Sequence, residues 1–345
     1  MKQKLTHSRM ASFKACRRRH WWEYEVGLRR QTDARALRVG TAVHTGLDVL
    51  KGGFGLPEAI EAIGDLYVDV PDSADPYDWS IEQETIEALV AGYEWRWRLA
   101  PLVVEATEQV FRLPLPNPET GASSTVWDVA GRIDGIVQVE DGRLAVLEHK
   151  TTSDSLDPDS DYWRRLQLDH QITLYVWAAR QLGYQIETVL YDVIRKPSIR
   201  PEQVPLLDAD GLKIVLDANG ERVMTIQGRP RQTGDRALGY TLQSRPMTPE
   251  EWGHKLLGDI YQRPEYYYAR VEIARLDSDI ADFIDELWDI QKILRDAQSR
   301  GRWYKTVSRD TCSYCPYFGL CSSKHDPAKV PEGFVKITNV NPELE

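Results

Sequence analysis

The 345-residue chain is 42% hydrophobic and 28% charged and carries 11 Trp and 16 Tyr. That composition supplies a sizeable core and excludes a disordered chain, whose mark is few aromatics with high net charge. No apolar run approaches the roughly 20 residues that cross a bilayer. No apolar segment follows residues 1–6, so the chain is expected to be cytoplasmic, with no membrane partner. The net charge of −10 argues at first against a polyanionic partner. Yet residues 1–40 hold eleven Lys or Arg against three acids, which leaves the remainder near −18. A basic face on an acidic body can steer a polyanion to one place; a solvated charged surface is the plainer account.

In chain order, a first helix is predicted over residues 8–24. A second, over 37–51, carries Val39, Val43, Leu47 and Leu50 three or four apart, with His44 beside that stripe, and stops at Gly52-Gly53. A third is expected from Ser80, with Gln83 completing a capping box and Ile86, Leu89, Val90, Tyr93 and Trp97 on its buried side. Strands are predicted over 103–115, 125–139 and 143–151, the last two joined by Glu140-Asp141-Gly142. A helix over 161–182 and a strand over 187–195 come next. Residues 197–245, rich in Pro, Gly and charge, read as an insertion of short strands or loops. A long helix over 277–300 has Ile280, Phe283, Ile284, Leu287, Ile290 and Leu294 on one face and Gly301 as its stop. No internal repeat stands out, and residues 326–345 read as a loose tail. The order predicts an α/β fold, a mixed central sheet flanked by helices. Its parts are an N-terminal helical segment (1–36), a core (37–300), a C-terminal segment (301–325) and the tail.

Glu148 and Lys150 end the apolar strand Leu144–Leu147 and, two apart, share one face of it. Alone, this pair is weak and reads more readily as a surface ion pair. Asp134, in Gly131-Arg132-Ile133-Asp134-Gly135, decides the matter through register. A two-residue turn would set Asp134 opposite His149. A three-residue loop with a left-handed Gly142 sets it opposite Glu148, and this is the register predicted. Two facing carboxylates make a hard oxygen site suited to Mg2+ or Mn2+. Such an ion polarises a phosphodiester, and Lys150 stabilises the charge that develops.

At these residues the chain resembles the PD-(D/E)xK nuclease superfamily, and within it the RecB-like exonuclease branch, over roughly residues 5–325. The resemblance rests on Gly40-Thr41-Ala42-Val43-His44, Gly-Arg-Ile-Asp at 131–134, Leu-Glu-His-Lys-Thr at 147–151 and Gln171-Ile-Thr-Leu-Tyr175. It implies a restriction-endonuclease-like fold and a metal held by His44, Asp134 and Glu148, with His149 a further candidate ligand. It implies Lys150 as the catalytic lysine, with Gln171 and Tyr175 lining the site. Glu148 stands where many relatives have Asp; either supplies a carboxylate.

Four cysteines remain: Cys16, and Cys312, Cys315 and Cys321 spaced C-x2-C-x5-C. Their spacing fits zinc and an iron–sulfur cluster alike. Iron–sulfur members of the RecB-like branch, among them CRISPR-associated and helicase-linked nucleases, carry one cysteine ahead of the core and three behind it. The resemblance therefore implies a [4Fe–4S] cluster stapling the N- and C-terminal segments. Beside these cysteines lie Arg17, Arg18, Arg19, Trp21 and Trp22, and Trp303-Tyr304-Lys305; Arg195 and Lys196 end the strand over 187–195. The basic residues are candidate contacts to DNA phosphates, with aromatic rings for unpaired bases. The tryptophans have an equal claim as core residues. No G-x-x-x-x-G-K-[ST] loop is present, so a helicase or adaptor would be a separate partner. The expectation is a DNA exonuclease for single strands or duplex ends. Its rivals are a trimming endonuclease and a non-catalytic iron–sulfur DNA-binding subunit.

Overall fold

The computed structural model describes residues 2–31, 34–341 and 344. At the N-terminus, β1 (Gln3–Leu5) leads into α1 (His7–Ala15), capped by the Thr6 hydroxyl accepting the Arg9 N–H. The predicted helix over 8–24 breaks at Cys16, whose backbone is extended (φ −163°). It resumes as α2 (Arg17–His20) and a π-helical turn (Trp21–Glu25), before β2 (Leu28–Arg30). Three helices follow: α3 (Arg35–Lys51), α4 (Leu56–Asp65) and α5 (Pro76–Trp97). α5 starts one turn before Ser80, because Asp75 caps it by accepting the Asp78 N–H and Pro76 suits its first position.

The sheet strands are β3 (Val103–Pro116), β4 (Ser123–Gln138), β5 (Leu144–Thr152) and, after α6 (Asp161–Leu166) and α7 (His170–Gln181), β6 (Ile186–Arg195). The single helix predicted over 161–182 is thus two, divided where Asp169 caps α7 by accepting the Gln171 N–H. The insertion carries β7 (Gln203–Pro205), β8 (Val215–Leu216), β9 (Thr241–Leu242) and β10 (Ser244–Pro246). α8 (Pro249–Gln262), opened by a Thr248–Glu251 capping box, α9 (Pro264–Tyr267) and β11 (Tyr268–Ile273) come next. α10 (Asp277–Arg300) ends at a left-handed Gly301, as expected. α11 (Arg309–Ser313), α12 (Phe318–Ser322) and β12 (Phe334–Lys336) complete the chain.

The sheet runs β1-β4-β5-β6-β11, with β3 along the other edge of β4. β5 and β6 are parallel, joined across α6 and α7; β3, β4 and β5 form an antiparallel meander. The mixed sheet flanked by helices is therefore observed. One face packs on α1, α7 and α10 through residues such as Met10, Trp127, Val146, Ile172, Tyr191 and Leu287. The other packs on α3, α5 and α8 through Val43, Leu89, Trp252 and Ile260. The first segment is not set apart from the core: β1 pairs with β4 in parallel, and the buried Arg9 stacks over Trp127 while paired with Glu25. Nor is the tail loose. β12 pairs with β2, burying Phe334 against Tyr317.

The insertion also corrects the sequence reading, because it contains a repeat. Asp208, Asp217 and Thr225 each open a tight hairpin closed by a left-handed glycine three residues on, at Gly211, Gly220 and Gly228. In each, the opening side chain accepts backbone N–H groups within its own turn. Successive turns are laced by the same step: Ile214 donates to Leu206 O, Val223 to Val215 O and Arg231 to Val223 O. Among the described residues no helix is long and apolar enough to cross a membrane.

Candidate active site

The site forms where the sheet splits. Along one edge β4 pairs first with β1, at Trp127, Asp128 and Val129, and later with β5, from Gly135 to Gln138. Residues 130–134 lie between these two ladders. The three-residue loop is as predicted: Val139 and Arg143 close it, Gly142 is left-handed (φ +86°), and Gly135 pairs with Leu147. Asp134 therefore falls opposite Glu148, one step past the last paired residues. Its backbone groups still need partners. Lys51 of α3 donates to Asp134 O at 2.9 Å, and the Asp134 carboxylate bridges the split by accepting the His149 N–H at 2.9 Å.

Glu148 is 2% exposed. Its Oε1 accepts from Lys150 Nζ at 2.6 Å, while its buried Oε2 has no hydrogen-bond partner. Burial holds Glu148 above the usual carboxylate range; Lys150 opposes the shift and Asp134 adds to it. Lys150 also donates to Gln171 Oε1 at 2.8 Å and lies 3.6 Å from Asp169 Oδ2. Burial works against its charge, but Glu148 and Asp169 raise it above an ordinary lysine, so it stays an ammonium. Gln171 Nε2 donates onward to the Tyr175 hydroxyl at 3.3 Å. The Tyr175 ring meets Phe111 edge-on above Gly131, where a Cβ would come within 2.7 Å of Phe111 and 3.1 Å of Tyr175. Only glycine lets these rings close over the strand.

His44 of α3 reaches the split from the other side, with Nδ1 3.7 Å from Asp134 Oδ2. The structure thus brings together His44, Asp134, Glu148, Lys150, Gln171 and Tyr175. His149 lies with its ring 5.9 Å from that of His44, yet apart from the carboxylates of Asp134 and Glu148. Alternation turns that imidazole to the opposite face of β5, against Tyr93 and 3.9 Å from Asp192, so it is not placed to share a ligand set with Glu148. Burial keeps it neutral, well below an ordinary histidine.

Two residues escaped the sequence reading. Asp169 both caps α7 and faces Lys150; its signal was a capping residue two before Gln171, hidden by continuous helical periodicity. His7 lines the cleft of about 550 Å³ with His44, Asp134, Gln171 and Tyr175. Burial lowers it to about 4, so it too is neutral.

Among the described residues no group of three or more His, Cys, Asp or Glu side chains is arranged to hold a metal as it stands. The donor set nevertheless suits a divalent cation. Glu148 has an orphaned buried oxygen, the Asp134 carboxylate lies across from it, and both are hard oxygen ligands.

At the far end, the Cys16 sulfur accepts the Thr306 N–H at 3.3 Å and the Cys312 sulfur lies 4.0 Å from Thr306 O. Cys315 and Cys321 pack against a cluster containing Trp22, Leu28, Tyr317, Leu320 and Phe334. Burial raises the Cys315 thiol, and Arg19, Cys321 and Cys16 are near enough to act on it. Arg17 stacks over Tyr304 at 4.2 Å, Arg18 over Trp21 at 4.9 Å, and Arg19 pairs with Glu23. Trp22 is buried and Trp21 lies against it, so the tryptophans serve the core. Arg195 stacks on Tyr266 at 4.1 Å; Lys196 lines a second cleft with Arg35 and Arg200.

The family model of the PD-(D/E)XK nuclease superfamily matches residues 4–322, and the chain belongs to that superfamily. No curated protein matches it in sequence. Among solved structures, that of SSO0001 is similar at 13% identity, over 94% of this chain and 88% of that one, with a TM-score of 0.34.

Proposed function

We propose that the chain is a DNA exonuclease of the RecB-like branch, acting on single strands or duplex ends with Mg2+ or Mn2+. The observation that carries this reading is Asp134 falling opposite Glu148 at the split, with Lys150 held between Glu148, Gln171 and Asp169. Asp134, Glu148 and His44 would hold the cation, which supplies polarisation of the phosphodiester and a lowered pKa for water. The His149 N–H orients the Asp134 carboxylate. Gln171 and Asp169 fix the Lys150 ammonium where negative charge grows on the phosphoryl oxygens. Water adds to phosphorus as the P–O bond to the leaving strand breaks, giving a phosphate on one fragment and a hydroxyl on the other. The test is degradation of end-labelled single- and double-stranded DNA by protein purified without oxygen, in Mg2+, Mn2+ or EDTA. Metal-dependent loss of label as mononucleotides is expected. Cleavage of circular single strands would make the enzyme an endonuclease, and DNA binding with no cleavage would make it a non-catalytic subunit.

We propose further that Cys16, Cys312, Cys315 and Cys321 hold a [4Fe–4S] cluster. The meeting of Cys16 and Cys312 at Thr306 supports this, as do the nearness of Cys315 to Cys16 and Cys321 and the bond from the Arg18 N–H to Tyr304 O, which ties the same two segments. As a staple across nearly the whole chain it would restrict the unfolded ensemble. Cys312→Ser is expected to lower iron content and melting temperature together; full iron with unchanged melting would remove the staple. Zinc in place of iron would show as metal without the cluster's visible absorbance.

For DNA we propose contacts from Arg17, Arg18 and Arg19, with Arg195 and Lys196 nearer the cleft. Replacing Arg17–Arg19 by Gln is expected to weaken binding and flatten the slope of log K against log salt by about 1–3. An unchanged slope would take this patch out of the interface.

A further inference from the structure

Behind the catalytic strand, on the face away from Glu148 and Lys150, lies a cavity of about 280 Å³ between the end of α3, the end of α5 and the start of β3. Its walls combine four kinds of group, the acid Glu94 among them. Phe54, Trp97 and Leu102 are aromatic or apolar. Lys51, Arg98 and Arg270 are cationic. His149, only 3% exposed, lines it with neither ring nitrogen in a hydrogen bond. A buried polar group without a partner is uncommon and costly, and points to a ligand or water that completes it. Phe54 is 64% exposed at the rim. Arg98 is also exposed and has no ion pair among the described residues. Arg270, by contrast, is already engaged by Asp192, Tyr93 and the Ala100 carbonyl, and it stacks over Trp97 at 4.0 Å.

We infer that this cavity is a second binding site, for a nucleoside monophosphate. An aromatic rim takes a planar heterocycle, the imidazole of His149 takes a hydrogen bond from its edge, and Arg98 takes the phosphate. The choice of a nucleotide rests on the nuclease reading, since a mononucleotide is what an exonuclease releases. The site is one side chain removed from the chemistry. His149 holds the Asp134 carboxylate through its backbone N–H, and Lys51 holds the Asp134 carbonyl. A nucleotide lodged against both residues is therefore felt at the metal-binding carboxylate, as product feedback would be.

The test is equilibrium binding of dAMP to the full chain in EDTA, which removes any nucleotide held through a metal in the catalytic cleft. Deoxyadenosine and inorganic phosphate are the separate arms. One saturable site for dAMP is expected, weaker for either fragment and retained in Lys150→Ala. Leu102→Trp, which fills the cavity, and Phe54→Asp, at an exposed position, are each expected to weaken it at least about tenfold. No saturable binding at millimolar dAMP, loss in Lys150→Ala, or wild-type affinity in both cavity variants would overturn the proposal. Binding is read without cleavage, so an inactive wild type that still binds dAMP would fail the nuclease reading and leave this site standing.

Discussion

Lys150→Ala lowers kcat/KM for DNA cleavage by about a thousandfold, the scale expected when a preorganised charge stabiliser is removed. Among the described residues the side chain is the one cation bonded to Glu148, and its three partners hold it at one point along the cleft. Lys150→Arg does not restore the rate, because a forked guanidinium cannot occupy the position of a point charge bonded to both Glu148 and Gln171. The comparison that matters is single-turnover cleavage at saturating Mn2+ alongside DNA affinity. A fall in rate at unchanged affinity is the expected pattern. Retention of more than about a tenth of the rate would show that Lys150 only neutralises the buried carboxylate.

The second large effect is on stability. Asp192 is fully buried in β6 and accepts from Arg270 Nε at 3.0 Å and from the Tyr93 hydroxyl. Asp192→Ala leaves the guanidinium of Arg270 half-enclosed against Trp97 without its counter-charge. The cost is about 3–5 kcal/mol, the usual penalty for breaking a buried pair from one side. It is read as a lower urea midpoint at constant m-value. Tyr93→Phe, which removes one hydrogen bond and keeps the charges paired, costs only about 1 kcal/mol. Equal losses in the two variants would mean that the hydroxyl, not the ion pair, anchors α5 to the sheet.

The register of β4 on β5 was legible in the sequence because local grammar settled it. Glu140-Asp141-Gly142 admits one register with a left-handed third residue, and that register alone sets Asp134 opposite Glu148. The Gln171–Tyr175 spacing was legible for a similar reason, since helical periodicity places them on one face. The breaks at Cys16 and Asp169 were not, because apolar periodicity runs through both and only the tertiary partners of each residue show the interruption. β1 and β11 escaped for another reason: each is short and finds its partner far away in sequence, β1 on β4 and β11 on β6. α8 could have been found, since Thr248-Pro249-Glu250-Glu251 carries its capping box openly. The side of the strand on which His149 lies followed from alternation as firmly as that of Glu148. Its inclusion among the ligands overlooked that rule.

The laced turns at residues 207–231 have a consequence for how this nuclease can vary. Each turn satisfies its own backbone through its opening Asp or Thr and is laced to the turn beside it, while residues 213–216 also bond to Gln232 and to 241–243. Stability in such an array is a sum over neighbours rather than a property of the whole. Among the described residues the segment from Asp217 to Met224 bonds only to its neighbouring turns, so deleting or duplicating it would shorten or lengthen the arm by one unit while leaving β4 and β5 untouched. The arm is a ruler with interchangeable divisions, and its reach can drift in evolution, or be set by design, independently of the chemistry at its base.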